Sequence, residues 1–402
     1  MRWCMWSSWI GLLCACVAVA GCGGATTLIV RTTTPAPAQS SADADIGFPV
    51  LATKNTTRVS GEDPITDAAG VARAVYPSVV PGTHPPVVTV APTDDWQAAI
   101  AASVLMSTPI RAPVLLSGPA RLPVVTSRAL SVLAPTGSGA LAGVKVIRVG
   151  DVPAVKGLRS AAISGNGPYV LAAAIDRYAT AAAGKPSPDV VIASAEDPAY
   201  AMPAAGWAAE SGDPVLFVSS TGVPAATVEA LQSDQHPHIY VLGPASVIPD
   251  SVLTQLRSYG TVTRVGAQDP AANSVAFAIY RDPPCVVDQA CAHVPNSFGW
   301  AMRSPGHGYT LLNAERPLDA AASAALSASG SYGPQLVLDS GNALPSSVLN
   351  FFLSYATPGY TQEGPTAAVY NHGWVIGDPS IISVSVQAEM DSLLEVTPVP
   401  QK

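Results

Sequence analysis

The residues that could do chemistry are few, and each has a structural competitor. The acidic pairs Asp94-Asp95 and Glu196-Asp197 are the best candidates for general acid/base work, which uses carboxylates close to a reacting group. Both pairs follow short apolar runs, Val87–Val90 and Val190–Ala193, at the point where a helix would begin. Helix capping needs the same residue type there and explains both pairs with fewer assumptions. His236-Pro237-His238 places two imidazoles close in sequence, but the proline and the apolar run from Ile239 suit a loop leading into a strand better than a metal site. His307 and His372 have Gly neighbours and read as surface loop residues. Gly137-Ser138-Gly139-Ala140-Leu141-Ala142-Gly143 lacks the spacing of a phosphate-cradling loop and precedes its strand, so a turn is expected. The sequence contains no H-E-x-x-H, G-x-S-x-G, Walker loop or C-x-x-C. No catalytic residue, metal site or cofactor is expected.

Cysteine use points to export. Arg2 followed by the apolar run Trp9–Ala20 has the form of a signal peptide, too short for a spanning helix of ~20 residues. The run ends in Val19-Ala20-Gly21-Cys22, which resembles a lipobox. That resemblance implies a lipid attached to Cys22 after removal of residues 1–21, with Cys4, Cys14 and Cys16 lost in the process. Cys285 and Cys291 are then left, and so close a pair in an exported protein favours a loop-closing disulfide. A metal site with His293 as third ligand is the rival, but the spacing is not that of zinc sites. Residues 22–53, rich in Thr, Pro, Ala and Ser, read as an extended tether.

Charge narrows the partners. Of 402 residues 12% are charged and 48% apolar, and the net charge is −8, which argues for a large core and against nucleic acid. One segment departs from this. Between Trp96 and Ser160 stand Arg111, Arg121, Arg128, Lys145, Arg148, Lys156 and Arg159 against Asp151 alone, seven basic residues less one acid, or +6. A basic face, with Arg111, Arg121, Arg128 and Arg148 as candidate contacts, could hold an anionic polymer within the short range that salt leaves unscreened.

The elements that would position these residues repeat along the chain. Arg58-Val59-Ser60-Gly61-Glu62-Asp63-Pro64 returns as Ala162-Ile163-Ser164-Gly165-Asn166-Gly167-Pro168 and as Arg264-Val265-Gly266-Ala267-Gln268-Asp269-Pro270. The prolines are 104 and then 102 residues apart, and each leads into an Ala-rich run that suits a helix. The apolar runs at Val87–Val90, Val190–Ala193 and Thr310–Leu312 suit strands buried on both faces. A second set of strands is expected at 112–117, 213–218 and 334–339, each followed by a Pro-marked helix start at Pro123, Pro224 or Pro345. A third set, Val146–Val149, Ile239–Leu242 and Gly373–Ile376, ends in Gly150, Gly243 or Gly377, where a tight turn is expected. Strand and helix alternation at this spacing predicts an α/β protein of parallel sheets. The expected modules are 54–156, 157–260 and 261–398, the last carrying an insertion at 281–305.

These anchors resemble the cell-wall-binding repeat 2 family. Arg58–Pro64 and Arg264–Pro270 match its opening in part, Ala112–Leu116 its Ala-Pro strand, and Tyr240–Gly243 with Val247–Val252 its last strand and helix. Pro64, Pro168 and Pro270 stand where the family has Arg-Tyr, and single glycines replace Gly-Gly. The resemblance implies three tandem Rossmann-like modules in a pseudo-threefold arrangement and non-covalent attachment to cell-wall polymer. The expected function is therefore that of a non-catalytic, lipid-anchored envelope protein, extracytoplasmic and wall-associated. Its partners would be an anionic wall polymer or peptidoglycan, and the membrane through the N-terminal lipid. The alternatives are a solute-binding lipoprotein of a transporter, which the three copies do not suit, and an envelope hydrolase, for which no nucleophile with a partner base is present.

Overall fold

The computed structural model of the protein describes residues 51–283, 297–329, 332–360 and 369–398. The signal segment, most of the tether, Cys22, Cys285 and Cys291 lie outside the described residues. The expected tether ends slightly early, because Leu51–Ala52 already forms a strand, β1, antiparallel to β2 (Thr56–Val59).

Copy 1 continues with α1 (Pro64–Val75), β3 (Val88–Pro92), α2 (Trp96–Ala102), β4 (Val114–Ser117), α3 (Val124–Leu133) and β5 (Val146–Val149). Copy 2 has β6 (Ser160–Ile163), α4 (Pro168–Ala183), β7 (Asp189–Ser194), α5 (Pro198–Ala201), α6 (Pro203–Ser211) and β8 (Val215–Val218). It ends with α7 (Ala225–Ser233), β9 (His238–Leu242) and α8 (Asp250–Leu256). Copy 3 has β10 (Thr261–Val265), α9 (Pro270–Ile279), β11 (Gly308–Asn313), α10 (Leu318–Ser327) and β12 (Gln335–Leu338). It closes with α11 (Ser346–Phe351), the short β13 (Gly359–Tyr360), β14 (His372–Ile376), α12 (Val384–Leu393) and β15 (Thr397–Pro398). Pro opens α1, α4 and α9, where its missing N–H leaves no bond unmade.

Thirteen of the fifteen described strands form three sheets of one plan, ordered β4-β3-β5-β6, β8-β7-β9-β10 and β12-β11-β14-β2, with β1 added at the edge of the last, and β13 pairs with β15 as a separate two-stranded sheet. All pairings within the three plans are parallel. Their central strands, such as Val88–Pro92 and Asp189–Ser194, are buried at every position, as strands covered by helices on both faces must be. The fourth strand of each sheet comes from the opening anchor of the next copy. β6 completes the sheet of copy 1, β10 that of copy 2, and β2 from the start of the chain completes that of copy 3. Sheets are thus offset by one strand from the sequence modules 54–156, 157–260 and 261–398. The helices that follow the first central strands meet at the middle: α2 with its 3₁₀ extension Ser103–Met106, α6 and α10 touch one another pairwise. They are rich in Ala, and α6 carries Gly206, whose missing side chain leaves room for Ser327 and Gln335. The ends of the 281–305 insertion are tied down, since Asp282 bridges to Phe298 and the Phe298 ring stacks on Tyr240 at 3.6 Å.

Candidate functional site

In parallel α/β sheets the carboxyl ends of the strands are the usual place for a ligand. In this chain the turns at that edge are held by arginines, of which Arg58 is fully buried and Arg264 and Arg148 are half-buried. Arg58 on β2 is fully buried; its Nε donates to Gln387 Oε1 at 2.9 Å, and its guanidinium nitrogens donate to the Gly377 carbonyl at 2.8 Å and the Ser383 carbonyl at 3.3 Å. Burial pulls this guanidinium down to about 10, which still leaves it charged at neutral pH. Arg264 on β10 repeats the arrangement, donating to the Gly243 carbonyl at 2.7 Å, the Ile248 carbonyl at 2.7 Å and Asp250 at 2.8 Å. Gly243 and Gly377, like Gly150 after β5, have φ of +117°, +98° and +66°, so the glycine expected after each of these strands is required by the turn. Both arginines belong to the opening anchor, whose conserved spacing within the chain signalled a repeat but not this bracing role.

Sheet 1 lacks the anchor arginine, having Ala162 there. The partner of Ala162 across the ladder is Arg148 on β5, whereas Arg58 pairs with Val375 and Arg264 with Val241. Arg148 donates to the Val152 carbonyl at 3.1 Å, in the turn that follows Gly150. The brace has moved one strand sideways, and Arg148 is a half-buried structural group in its own turn.

Between sheet 3 and sheet 1 this edge opens into a cleft of about 430 Å³ whose lining includes Glu62, Asp94, Trp96, Glu315 and Arg316. Beneath it Arg316 meets two fully buried carboxylates, donating to Asp67 at 2.7 Å and to Asp319 Oδ1 at 3.2 Å, with Nε 2.8 Å from Asp319 Oδ2 but out of line for a hydrogen bond. Asp67 also accepts from the Gly61 amide at 2.8 Å. Burial, and then the repulsion of Asp319, raises Asp67 well above the usual carboxylate range, and burial pushes Asp319 up to about 7 against the pull of Arg316. One guanidinium between two carboxylates holds copy 1 to copy 3, since Asp67 sits on α1 and Arg316 just before α10.

The acidic pairs have local roles. Asp95 accepts from the Ala98 amide at 2.8 Å and caps α2. Asp197 precedes α5 without a side-chain cap; Ser194 Oγ instead accepts from the Glu196 and Asp197 amides, and Glu196 accepts from the Ser220 amide. Neither pair is arranged as two carboxylates facing a shared point. The basic candidates divide. Arg111 precedes β4 and Arg121 follows it, so these two exposed residues stand at opposite ends of the strand, and exposed Arg128 lies on α3. Arg121 alone of the four joins the carboxyl edge as a free-facing surface cation. His372, expected in a loop, opens β14 and contacts Thr57 Oγ1 at 3.1 Å, because the strand begins one residue before its apolar run. Among the described residues no group of three or more His, Cys, Asp and Glu side chains could hold a metal ion, and no helix is long and apolar enough to cross a membrane.

The sheet plan can now be set beside known proteins. Residues 163–253, from the last residue of β6 into α8, match the sequence model of the family Cell wall binding domain 2 (CWB2). The similarity to CWB2 covers this segment of copy 2. The resemblance drawn from the anchors therefore holds over copy 2, where the family match falls. Two solved structures share the fold over 85% of this chain: Cwp6 from Clostridium difficile, with a TM-score of 0.63 at 15% identity, and Cwp8 from Clostridium difficile, with 0.61 at 14%. The chain spans 48% and 53% of those two chains, about half of each. No curated protein sequence matches it.

Proposed function

We propose that the protein is a non-catalytic, lipid-anchored envelope protein that holds cell-wall polymer through three CWB2-type modules packed about a pseudo-threefold axis. The observation that carries this is the CWB2 match over copy 2, joined to the identical strand order of all three sheets. The pairwise meeting of α2, α6 and α10 is the contact such an axis needs. The Val19–Cys22 motif supports the lipid, and the close Cys285–Cys291 pair supports a disulfide in the insertion. The anchor, the wall and the outer face of the cell membrane form one consistent location.

The polymer would be peptidoglycan or an anionic chain attached to it. Its proposed contact is the carboxyl edge of sheet 1, where Arg121 follows β4, together with Arg128 on the neighbouring helix. Arg111 at the far end of β4, and Arg148 in its brace, fall outside that contact. Reversing Arg121 and Arg128 to Glu should weaken retention on purified walls several-fold and flatten its dependence on salt, because two phosphate- or carboxylate-facing charges are lost. Sedimentation of wild type and variant with walls across a salt series checks this; equal retention at every salt concentration would remove the two arginines from the contact.

A further inference from the structure

Copy 2 buries Asp176, Asp189 and Asp213 at positions where its sister copies carry no acid. Asp176 lies eight residues after Pro168, and the positions eight after Pro64 and Pro270 are Ala72 and Ala278. Asp213 precedes Pro214 as Ala112 precedes Pro113 and Gly333 precedes Pro334. The ladder register, Val191 with Val215, Thr89 with Val114 and Thr310 with Gln335, sets Asp189 against Val87 and Gly308. The fold thus forms twice without these acids, and burying each one costs free energy. All three converge on one cavity of about 460 Å³ at the amino ends of the sheet 2 strands, also lined by Glu210 and Lys185.

Their hydrogen bonding differs. Asp213 is satisfied, accepting from Ser187 at 2.6 Å and Trp207 Nε1 at 2.7 Å. Asp189 is approached by the exposed His238 ring at 3.4 Å. Asp176 is 3% exposed, lines the cavity, and accepts among the described residues only a 3.5 Å bond from the Thr180 hydroxyl. A carboxyl group this buried, weakly bonded and bordering an open volume has acceptor capacity left for a donor on a ligand.

We propose that this cavity binds a ligand carrying a primary ammonium group, with Asp176 as the principal acceptor and Asp189 and Glu210 completing the negative field. An ammonium brings three donors and one positive charge to a space that, among the described residues, is lined by four carboxyl groups and the one cation Lys185. Burial pushes Asp176 up to about 8 and Asp189 up to about 6, and Asp234 and Asp213 respectively add to the effect. Arg177 opposes it at Asp176, and at Asp189 His238 opposes it while Asp282 adds to it. The empty cavity therefore retains protons near neutrality that a bound cation would displace. Amino sugars and aliphatic polyamines share this chemistry and fit the volume. The inference stands apart from wall binding, which a small-molecule titration does not measure.

The test is calorimetric titration of the full chain at pH 7.5 with putrescine, with the glucosamine disaccharide of chitosan, and with its N-acetylated, uncharged counterpart. At least one charged probe should bind and the uncharged one should not; which charged probe binds separates polyamine from amino sugar. Asp176→Ala, the residue the other copies carry, should lower the affinity by about tenfold or more while leaving the thermal midpoint unchanged or higher. Asp176→Asn, closer in shape, gives the same comparison if the alanine variant fails to fold. Absence of binding by both charged probes at millimolar concentration, equal binding of the uncharged probe, or unchanged affinity in these variants would overturn the proposal.

Discussion

The seam where β2 joins sheet 3 and the seam where β6 joins sheet 1 are built on the same plan but anchored differently. In sheet 3 the guanidinium comes from the incoming strand, through Arg58 on β2, and reaches Gly377, Ser383 and Gln387. In sheet 1 the incoming strand brings Ala162, and the guanidinium comes from the receiving strand, through Arg148 reaching Val152. The turn after the third strand is held by a guanidinium that donates to its carbonyls, and either strand of the pair can present it. The ion cluster below makes the same point in charge. At Arg316 of copy 3 the corresponding residues are Asp95 and Asp197, so only the sheet 3 seam is locked by a cation between Asp67 and Asp319.

The comparison breaks most severely at Arg58. Arg58→Ala strands three buried acceptors at roughly 1–3 kcal/mol each, so urea unfolding should show a loss of about 3 kcal/mol or more. A loss below about 1 kcal/mol would mean that the brace is not what holds β2 in place. The sheet 1 seam is sharpened by moving its arginine back. Arg148→Val alone should cost about 1–2 kcal/mol, and Arg148→Val combined with Ala162→Arg should recover most of it, a coupling readable in a double-mutant cycle. Additive losses would show that the two positions are not interchangeable.

The acid cluster sets the pH behaviour of the sheet 3 seam. Asp319 is pushed up to about 7 in the folded protein and titrates near 3.8 when unfolded. Between these values the folded state binds the extra proton, so this group's contribution to stability is largest at low pH and falls as pH rises from about 4 to about 7. Asp319→Asn should flatten that part of the stability–pH curve, measured by thermal unfolding between pH 5 and 8, and an unchanged slope would assign it to another group. The smallest effect is expected at Arg121, exposed and without a bracing role; Arg121→Glu should move stability by no more than about 0.5 kcal/mol, so that any change in wall retention is one of binding.

The buried strands were legible because four to six consecutive apolar residues between turn residues leave little else for the chain to form; Val190–Ala193 lies inside β7 and Val87–Val90 overlaps β3. Pro64, Pro168 and Pro270 marked helix starts correctly because a missing N–H fits the first turn. The opening anchors were legible as a repeat but not as strands. Ser160-Ala161-Ala162-Ile163 is short, small and partly exposed, and what makes it a strand is pairing with β5 in the preceding copy's sheet. That offset also hid the function of Arg58, whose partners Gly377, Ser383 and Gln387 lie more than 300 residues away in sequence. Arg148 read as a surface cation for the same reason, since its role depends on Ala162 across the ladder. The acids of the sheet 2 cavity gave a signal in the alignment of the copies, an Asp where the sisters have Ala, Val or Gly, but only the fold brings the three together.

The proposed wall binding is tested most directly by sedimenting the protein with purified cell walls before and after chemical removal of their anionic polymer, in the presence of detergent so that the proposed lipid at Cys22 contributes nothing. Retention on native walls that falls sharply on stripped walls is the predicted result. Failure to sediment with either preparation would contradict the account.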